Sequence, residues 1–133
     1  MCDRVHAELQ PVDGAVILVG HSFGGSVLLK YLAEGEPPLP IAGLFLVATP
    51  FWGPEGWAYD EYALSEDFAS RLPSTPTFLY HSRDDPHVPF SHMKLYEERL
   101  PMATIRPLEG SEHSFVSGLP ALVTDIRQAK VER

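Results

Sequence analysis

Cysteine is nearly absent from the sequence. The one residue, Cys2, cannot form an internal disulfide, so nothing indicates a secreted, disulfide-built scaffold. It also lacks the glycine turn that would set up a nucleophile. No apolar run approaches the length of a membrane span. Met1-Cys2-Asp3-Arg4-Val5-His6 holds no apolar signal core, and the expectation is a cytoplasmic protein. Basic residues are few: 10 Lys and Arg stand against 18 Asp and Glu, for a net charge of -8. That balance argues against nucleic acid and anionic membranes as partners. The histidines show no metal-ligand spacing, since His81 and His87 are separated by a proline and no helix. Neither a metal nor a cofactor is expected. There is no internal repeat and no low-complexity tract.

What is present suits one domain over residues 1–133. The chain is 44% hydrophobic and 21% charged, within the ordinary globular range. A chain of this size buries about two thirds of its unfolded surface.

The stretch that organises the rest is Gly20-His21-Ser22-Phe23-Gly24. It follows the apolar run Ala15-Val16-Ile17-Leu18-Val19 and leads into Val27-Leu28-Leu29-Lys30-Tyr31-Leu32. Strand, sharp turn and helix, with a serine at the apex, make the Gly-x-Ser-x-Gly nucleophile elbow. Gly20 and Gly24 are expected to let strand and helix pass closely. The Ser22 hydroxyl is expected to project above the sheet at a helix N-terminus, where free N–H groups favour developing negative charge. A chain with 10 glycines and a similar number of serines shows this pattern by chance about 5% of the time. The bland alternative is a glycine-rich turn with Ser22 as a helix N-cap.

Along the chain the pattern is strand, helix, four times over. After a short helix from Cys2 to Gln10 come strands at Ala15–Gly20, Ile41–Ala48, Thr77–His81 and Ala103–Leu108. Helices are expected at Phe23–Glu34, Ser91–Leu100 and Gly118–Val131. The first two strands are apolar throughout, as in strands covered on both faces. The rhythm implies an α/β fold, a largely parallel sheet of about four strands with helices on both faces. Residues 51–72 depart from it. They read as a helix carrying Tyr62, Ala63, Leu64, Phe68 and Leu72, after an aromatic stretch. They are also placed to be a lid over Ser22.

In open parallel sheets catalytic groups gather at the carboxyl ends of the strands. Three such ends carry chemistry: Ser22; Ser82-Arg83-Asp84-Asp85-Pro86-His87-Val88-Pro89; and Gly110-Ser111-Glu112-His113-Ser114-Phe115. A serine needs an imidazole as base, and the imidazole needs a carboxylate to fix its tautomer. Both Asp84 and Asp85 are candidates for the acid, Asp84 having a turn cap as its bland reading. His6, His81, His87 and His92 read as surface or loop residues, and His21 as structural. Phe51, Trp52, Trp57, Tyr59 and Tyr62 offer apolar area for an acyl group or for ordinary core packing.

On Gly20-His21-Ser22-Phe23-Gly24-Gly25, Asp84-Asp85-Pro86-His87-Val88-Pro89 and Gly110-Ser111-Glu112-His113, the chain resembles the α/β-hydrolase superfamily, in its small serine-hydrolase branch. The resemblance runs from Val12 onward. It implies Asp85 as catalytic acid, three residues before the Val of an Asp-x-x-Val-Pro turn. It implies His113 as base, with Glu112 standing where glycine is common, and the Phe23 N–H as one oxyanion donor. Phe51, Trp52 and Trp57 would bind substrate. The expected reaction is hydrolysis of a small-molecule ester or similar acyl compound through an acyl-serine intermediate. A non-catalytic interaction module is the alternative, and acyl transfer on the same scaffold a third reading.

In that superfamily strands precede the elbow strand, and a loop there supplies a second oxyanion donor. The sequence before Ala15 holds no such strand, and an N-terminally truncated hydrolase is expected. Ala15–Gly20 should then lie at a sheet edge, with self-association through that edge as a consequence.

Overall fold

The computed structural model describes residues 2–10, 14–53, 55–57 and 60–131. Helix α1 (Cys2–Leu9) precedes β1 (Val16–His21), α2 (Phe23–Glu34) and β2 (Ile41–Val47). A single 3-10 turn (Asp60–Tyr62) and the short α3 (Phe68–Arg71) lead to β3 (Thr77–Ser82). Then come α4 (Ser91–Arg99), β4 (Thr104–Leu108) and α5 (Pro120–Val131). Pro120 opens α5, where its missing N–H costs nothing. Among the described residues no helix is long and apolar enough to cross a membrane.

The four strands form one parallel sheet in the order β1-β2-β3-β4. Parallel neighbours need a crossover, and the helices provide it. Strand alternation then sorts side chains to two faces. Leu44, Leu46 and Leu79 join Leu29, Leu32, Met93 and Tyr96 of α2 and α4 in one core. Phe45, Val47 and Tyr80 join Ala129, Leu122 and Ile126 of α5 in the other. Every residue of β2 is buried, as its continuous apolar run requires.

β1 lies at the sheet edge, in the position expected from the sequence. It is not covered on both faces, however. Val16, Ile17 and Leu18 are half-buried, and Val19 is 47% exposed. An apolar run specifies strand pairing with β2 but cannot supply a neighbour on the far side.

The helix expected after the aromatic stretch, carrying Tyr62 to Leu72, does not form as one unit. Before it, the aromatic stretch turns so that Trp57 returns to Phe51 and Gly53. Gly53 N–H donates to the Trp57 carbonyl at 3.0 Å and Trp57 N–H to the Phe51 carbonyl at 2.9 Å. Among the described residues that follow, up to Leu72, Asp60–Tyr62 and Phe68–Arg71 alone are helical. Gly56 explains the tight return: a Cβ there would lie 2.2 Å from the Phe51 carbonyl oxygen.

Candidate active site

The turn from β1 into α2 holds Ser22 at φ 55 and ψ -123, a backbone conformation that an L side chain adopts at a cost of about 1–3 kcal/mol. The surroundings fix it. Ser22 N–H donates to the Val47 carbonyl at 2.7 Å, and Gly25 N–H to the Ser22 carbonyl at 3.0 Å. Ser22 occupies the N-cap position of α2, as the bland reading has it, but its hydroxyl makes no capping hydrogen bond to the helix. Phe23 and Gly24 open the helix, and their N–H groups have no acceptor within it.

The close approach of strand and helix runs through Gly20 and Gly25. A Cβ on Gly20 would lie 2.6 Å from Gly25 Cα, and one on Gly25 would lie 2.1 Å from Thr49 Oγ1. At Gly24 an added Cβ meets nothing within 4 Å. The second spacing-critical glycine is therefore Gly25 and not Gly24. Gly24→Ala is expected to leave stability unchanged or raise it by about 1 kcal/mol through helix propensity. Gly20→Ala and Gly25→Ala should each lose about 1–3 kcal/mol through overpacking. Urea melts of the three variants measure the difference.

At the end of β3 the two adjacent carboxylates divide their work. Asp85 Oδ1 accepts the N–H groups of His87 and Val88, both at 2.8 Å. Its Oδ2 accepts from His113 Nδ1 at 2.8 Å. Burial works to raise the Asp85 pKa. The hydrogen bonds from His113, Val88 and His87 outweigh it and hold the carboxyl below its ordinary range. Asp84 faces the backbone of the next loop. Its Oδ1 accepts from the Ser82 hydroxyl and from Glu112 N–H at 3.1 Å, while Ser82 Oγ accepts from Ser111 N–H at 3.0 Å. The Ser82 hydroxyl bond is the main cause of a lowered Asp84 pKa.

The loop after β4 takes several left-handed residues. Gly110 and Gly118 have φ 73 and 91, and Glu112 and Phe115 have φ 54 and 52. Glu112 thus occupies a conformation that favours glycine, which gives a physical reason for glycine being common there. The loop brings His113 to Asp85 and back over the elbow. The His113 carbonyl accepts from His21 Nε2 at 2.7 Å. Among the described residues no hydrogen bond joins Ser22 Oγ to His113.

Two histidines expected at the surface are buried. His81 is 2% exposed and stands under the Asp85 loop. Its Nε2 donates to the Val88 carbonyl at 2.8 Å and lies 3.4 Å from Asp85 Oδ2. His92 is 4% exposed, and its Nδ1 accepts the Phe51 N–H at 2.8 Å. Burial pushes the pKa of both rings down. His87 is exposed, with its ring 5.2 Å from that of His113.

The aromatic residues separate into two groups. Phe51 is 4% exposed and packs against Tyr96, under the Arg99 guanidinium. Phe23, 36% exposed, meets Tyr62 edge-on at 4.6 Å. Tyr62 lies 5.7 Å from Trp52, and Trp52 lies 5.3 Å from Trp57. The Trp52 indole N–H donates to Ser26 Oγ at 2.7 Å, one turn into α2. Tyr59 lies outside the described residues. Among the described residues no group of three or more His, Cys, Asp or Glu side chains is placed to hold a metal ion.

A cleft of about 520 Å³ opens between Leu72–Thr77 and Leu100–Ala103. It is at the amino ends of β3 and β4, opposite the elbow, and no titratable side chain lines it.

The chain belongs to the serine hydrolase family, whose sequence model matches residues 2–114. Solved structures similar to it include a protein described as a YdeN-like hydrolase from Pectobacterium atrosepticum. That pair shares 24% identity with a TM-score of 0.73, over 98% of this chain and 70% of the other. Arabidopsis thaliana SOBER1 shares 20% identity with a TM-score of 0.71, over 96% of this chain and 62% of that one. Esterase PE8 shares 21% identity with a TM-score of 0.70, over 96% and 58%. At these identities the likeness is one of fold, and the chain spans 58% to 70% of the three neighbours' lengths. None of the curated proteins compared with the sequence matches it.

Proposed function

We propose that the chain hydrolyses esters or similar acyl compounds through an acyl-serine intermediate. The observation that carries the reading is the Asp85–His113 hydrogen bond of 2.8 Å, on a loop whose His113 carbonyl accepts from His21, the neighbour of Ser22. With Nδ1 engaged by Asp85, the other ring nitrogen of His113 is the base. It takes the Ser22 proton as Ser22 Oγ bonds to the substrate carbonyl carbon. The carbonyl oxygen becomes an oxyanion, which the Phe23 N–H at the start of α2 receives. Collapse expels the alcohol, which leaves with the proton from His113. Water, deprotonated by the same imidazole, then releases the acid and restores Ser22. Asp85 stays ionised throughout and holds the ring in place.

Phe23, Trp52, Trp57 and Tyr62 support an apolar acyl group as substrate, each methylene buried there contributing about 0.8 kcal/mol. Treatment with a fluorophosphonate is expected to give one adduct, mapped to Ser22 by mass spectrometry. Hydrolysis of p-nitrophenyl esters should rise from acetate to a medium chain. An unlabelled Ser22 in the folded protein would assign the chain to a non-catalytic role. A flat ester series would reject the apolar acyl site.

A further inference from the structure

His21 is the last residue of β1, next to Ser22, whereas the His113 loop leaves β4 at the opposite edge of the sheet. With strands about 4.8 Å apart, the loop crosses roughly 14 Å of sheet to reach the elbow. Three of its hydrogen bonds attach it to the segment that ends β3. They are Ser111 N–H to Ser82 Oγ, Glu112 N–H to Asp84 Oδ1, and His113 Nδ1 to Asp85 Oδ2. These hold the loop two strands away from β1. Left-handed residues at Glu112 (φ 54) and Phe115 (φ 52) persist only where their surroundings fix them. Phe115 packs against the core of Phe45, Val47 and Tyr80, and the end of the loop nearest β1 needs a polar hold as well.

Among the described residues a single hydrogen bond provides that hold. His21 Nε2 meets the His113 carbonyl oxygen at 2.7 Å. A carbonyl only accepts, so Nε2 carries the hydrogen. The ring is braced as well, 5.1 Å from the His113 ring and 6.2 Å edge-on to Phe115.

We infer that His21 is a positioning residue, a strut between the elbow and the loop that sets the reach from His113 to Ser22. The inference rests on the reading of Ser22 and His113 as nucleophile and base. It explains how the two reacting groups are registered although no hydrogen bond joins them. A displacement of about 1 Å between reacting groups costs up to about 100-fold in rate.

The test compares His21→Phe, which keeps a ring but has no donor, with His21→Gln, whose amide N–H reaches a similar point. Amide hydrogen exchange over residues 111–116 is measured on the whole chain, beside kcat and KM for p-nitrophenyl acetate. In His21→Phe, exchange should speed up by about tenfold or more and kcat should fall about 10- to 100-fold with KM unchanged. His21→Gln should return both to within a few-fold of the starting protein. Unchanged exchange in a folded His21→Phe protein overturns the strut. Faster exchange with unchanged kcat overturns its positioning role. If the unaltered chain takes no fluorophosphonate at Ser22, the hydrolase reading falls, and the exchange measurement still decides whether His21 holds the loop.

Discussion

Turnover of p-nitrophenyl esters is expected to fall about 10⁶-fold in Ser22→Ala and about 10⁴-fold in Asp85→Asn. In Asp84→Asn it should change about tenfold or less, since binding and oxyanion stabilisation stay intact. The three numbers follow from which atoms face which. Asp85 Oδ2 accepts from His113 Nδ1, so the carboxylate selects the tautomer with its proton on that nitrogen. An Asn placed there can present an amide N–H to the ring instead. That would stabilise the other tautomer, with a proton on the nitrogen that the proposed mechanism needs free as base. Asp84 Oδ1 accepts from the Ser82 hydroxyl and the Glu112 N–H, and an Asn carbonyl oxygen can accept both. Steady-state rates and the rate of fluorophosphonate labelling, taken on proteins with matching melting curves, measure the three effects. A larger loss in Asp84→Asn than in Asp85→Asn would reverse the assignment of the acid.

The sheet and the strand–turn–helix around Ser22 were legible because both are local patterns. Apolar runs, glycines and prolines at Gly35, Pro37 and Pro73, and one serine between glycines require no knowledge of distant residues. The misreadings arise where a distant residue decides. Gly25 matters because Thr49 presses on it from the end of β2, and no spacing rule inside the elbow contains Thr49. β1 reads as doubly covered because its composition resembles that of β2, yet cover depends on what lies beside it. For the buried histidines a signal was available. His81 follows Leu79 by two residues on β3, and alternation puts both on the core face. His92 precedes Tyr96 by four on α4, the spacing of one helix face. Tyr62 to Leu72 has helical apolar spacing, yet only short pieces of it are helical among the described residues. Before it, Gly53 and Gly56 let the chain return on itself, and Trp52 reaches across to Ser26.

A second large effect is expected far from Ser22, at the joint between α5 and the sheet. Asp125→Ala should lose about 2–4 kcal/mol of stability. Asp125 is 6% exposed. Its Oδ2 accepts the Tyr80 hydroxyl at 2.6 Å, and Arg106 spans both carboxylate oxygens at 3.2 and 3.0 Å. Deleting the carboxylate strands the hydroxyl of Tyr80, itself 1% exposed. Arg106 escapes most of the penalty because its side chain is 44% exposed and water can serve it. Tyr80→Phe, which leaves the Arg106 pair intact, should cost about 1 kcal/mol.

The same site has a signature in acid. Burial alone would raise the Asp125 pKa, but hydrogen bonds from Arg106 and Tyr80 bring it below its ordinary value. A carboxyl lowered on folding adds stability above its unfolded pKa, about 3.9. That contribution disappears as pH falls through the lower folded value. His81 and His92 act at higher pH. Their rings are pushed down by burial, so the unfolded chain binds protons first as pH falls below about 6.5. Urea melts from pH 8 to pH 3 should therefore show stability falling in two stages. The first begins below about 6.5, from the buried imidazoles, and the second below about 4, from the paired carboxyls. Asp125→Ala should keep the first stage and weaken the second, which retains the share of Asp84 and Asp85, whose carboxyls are also lowered. A variant whose acid limb matches that of the unaltered protein would mean that Asp125 gains nothing from its partners on folding.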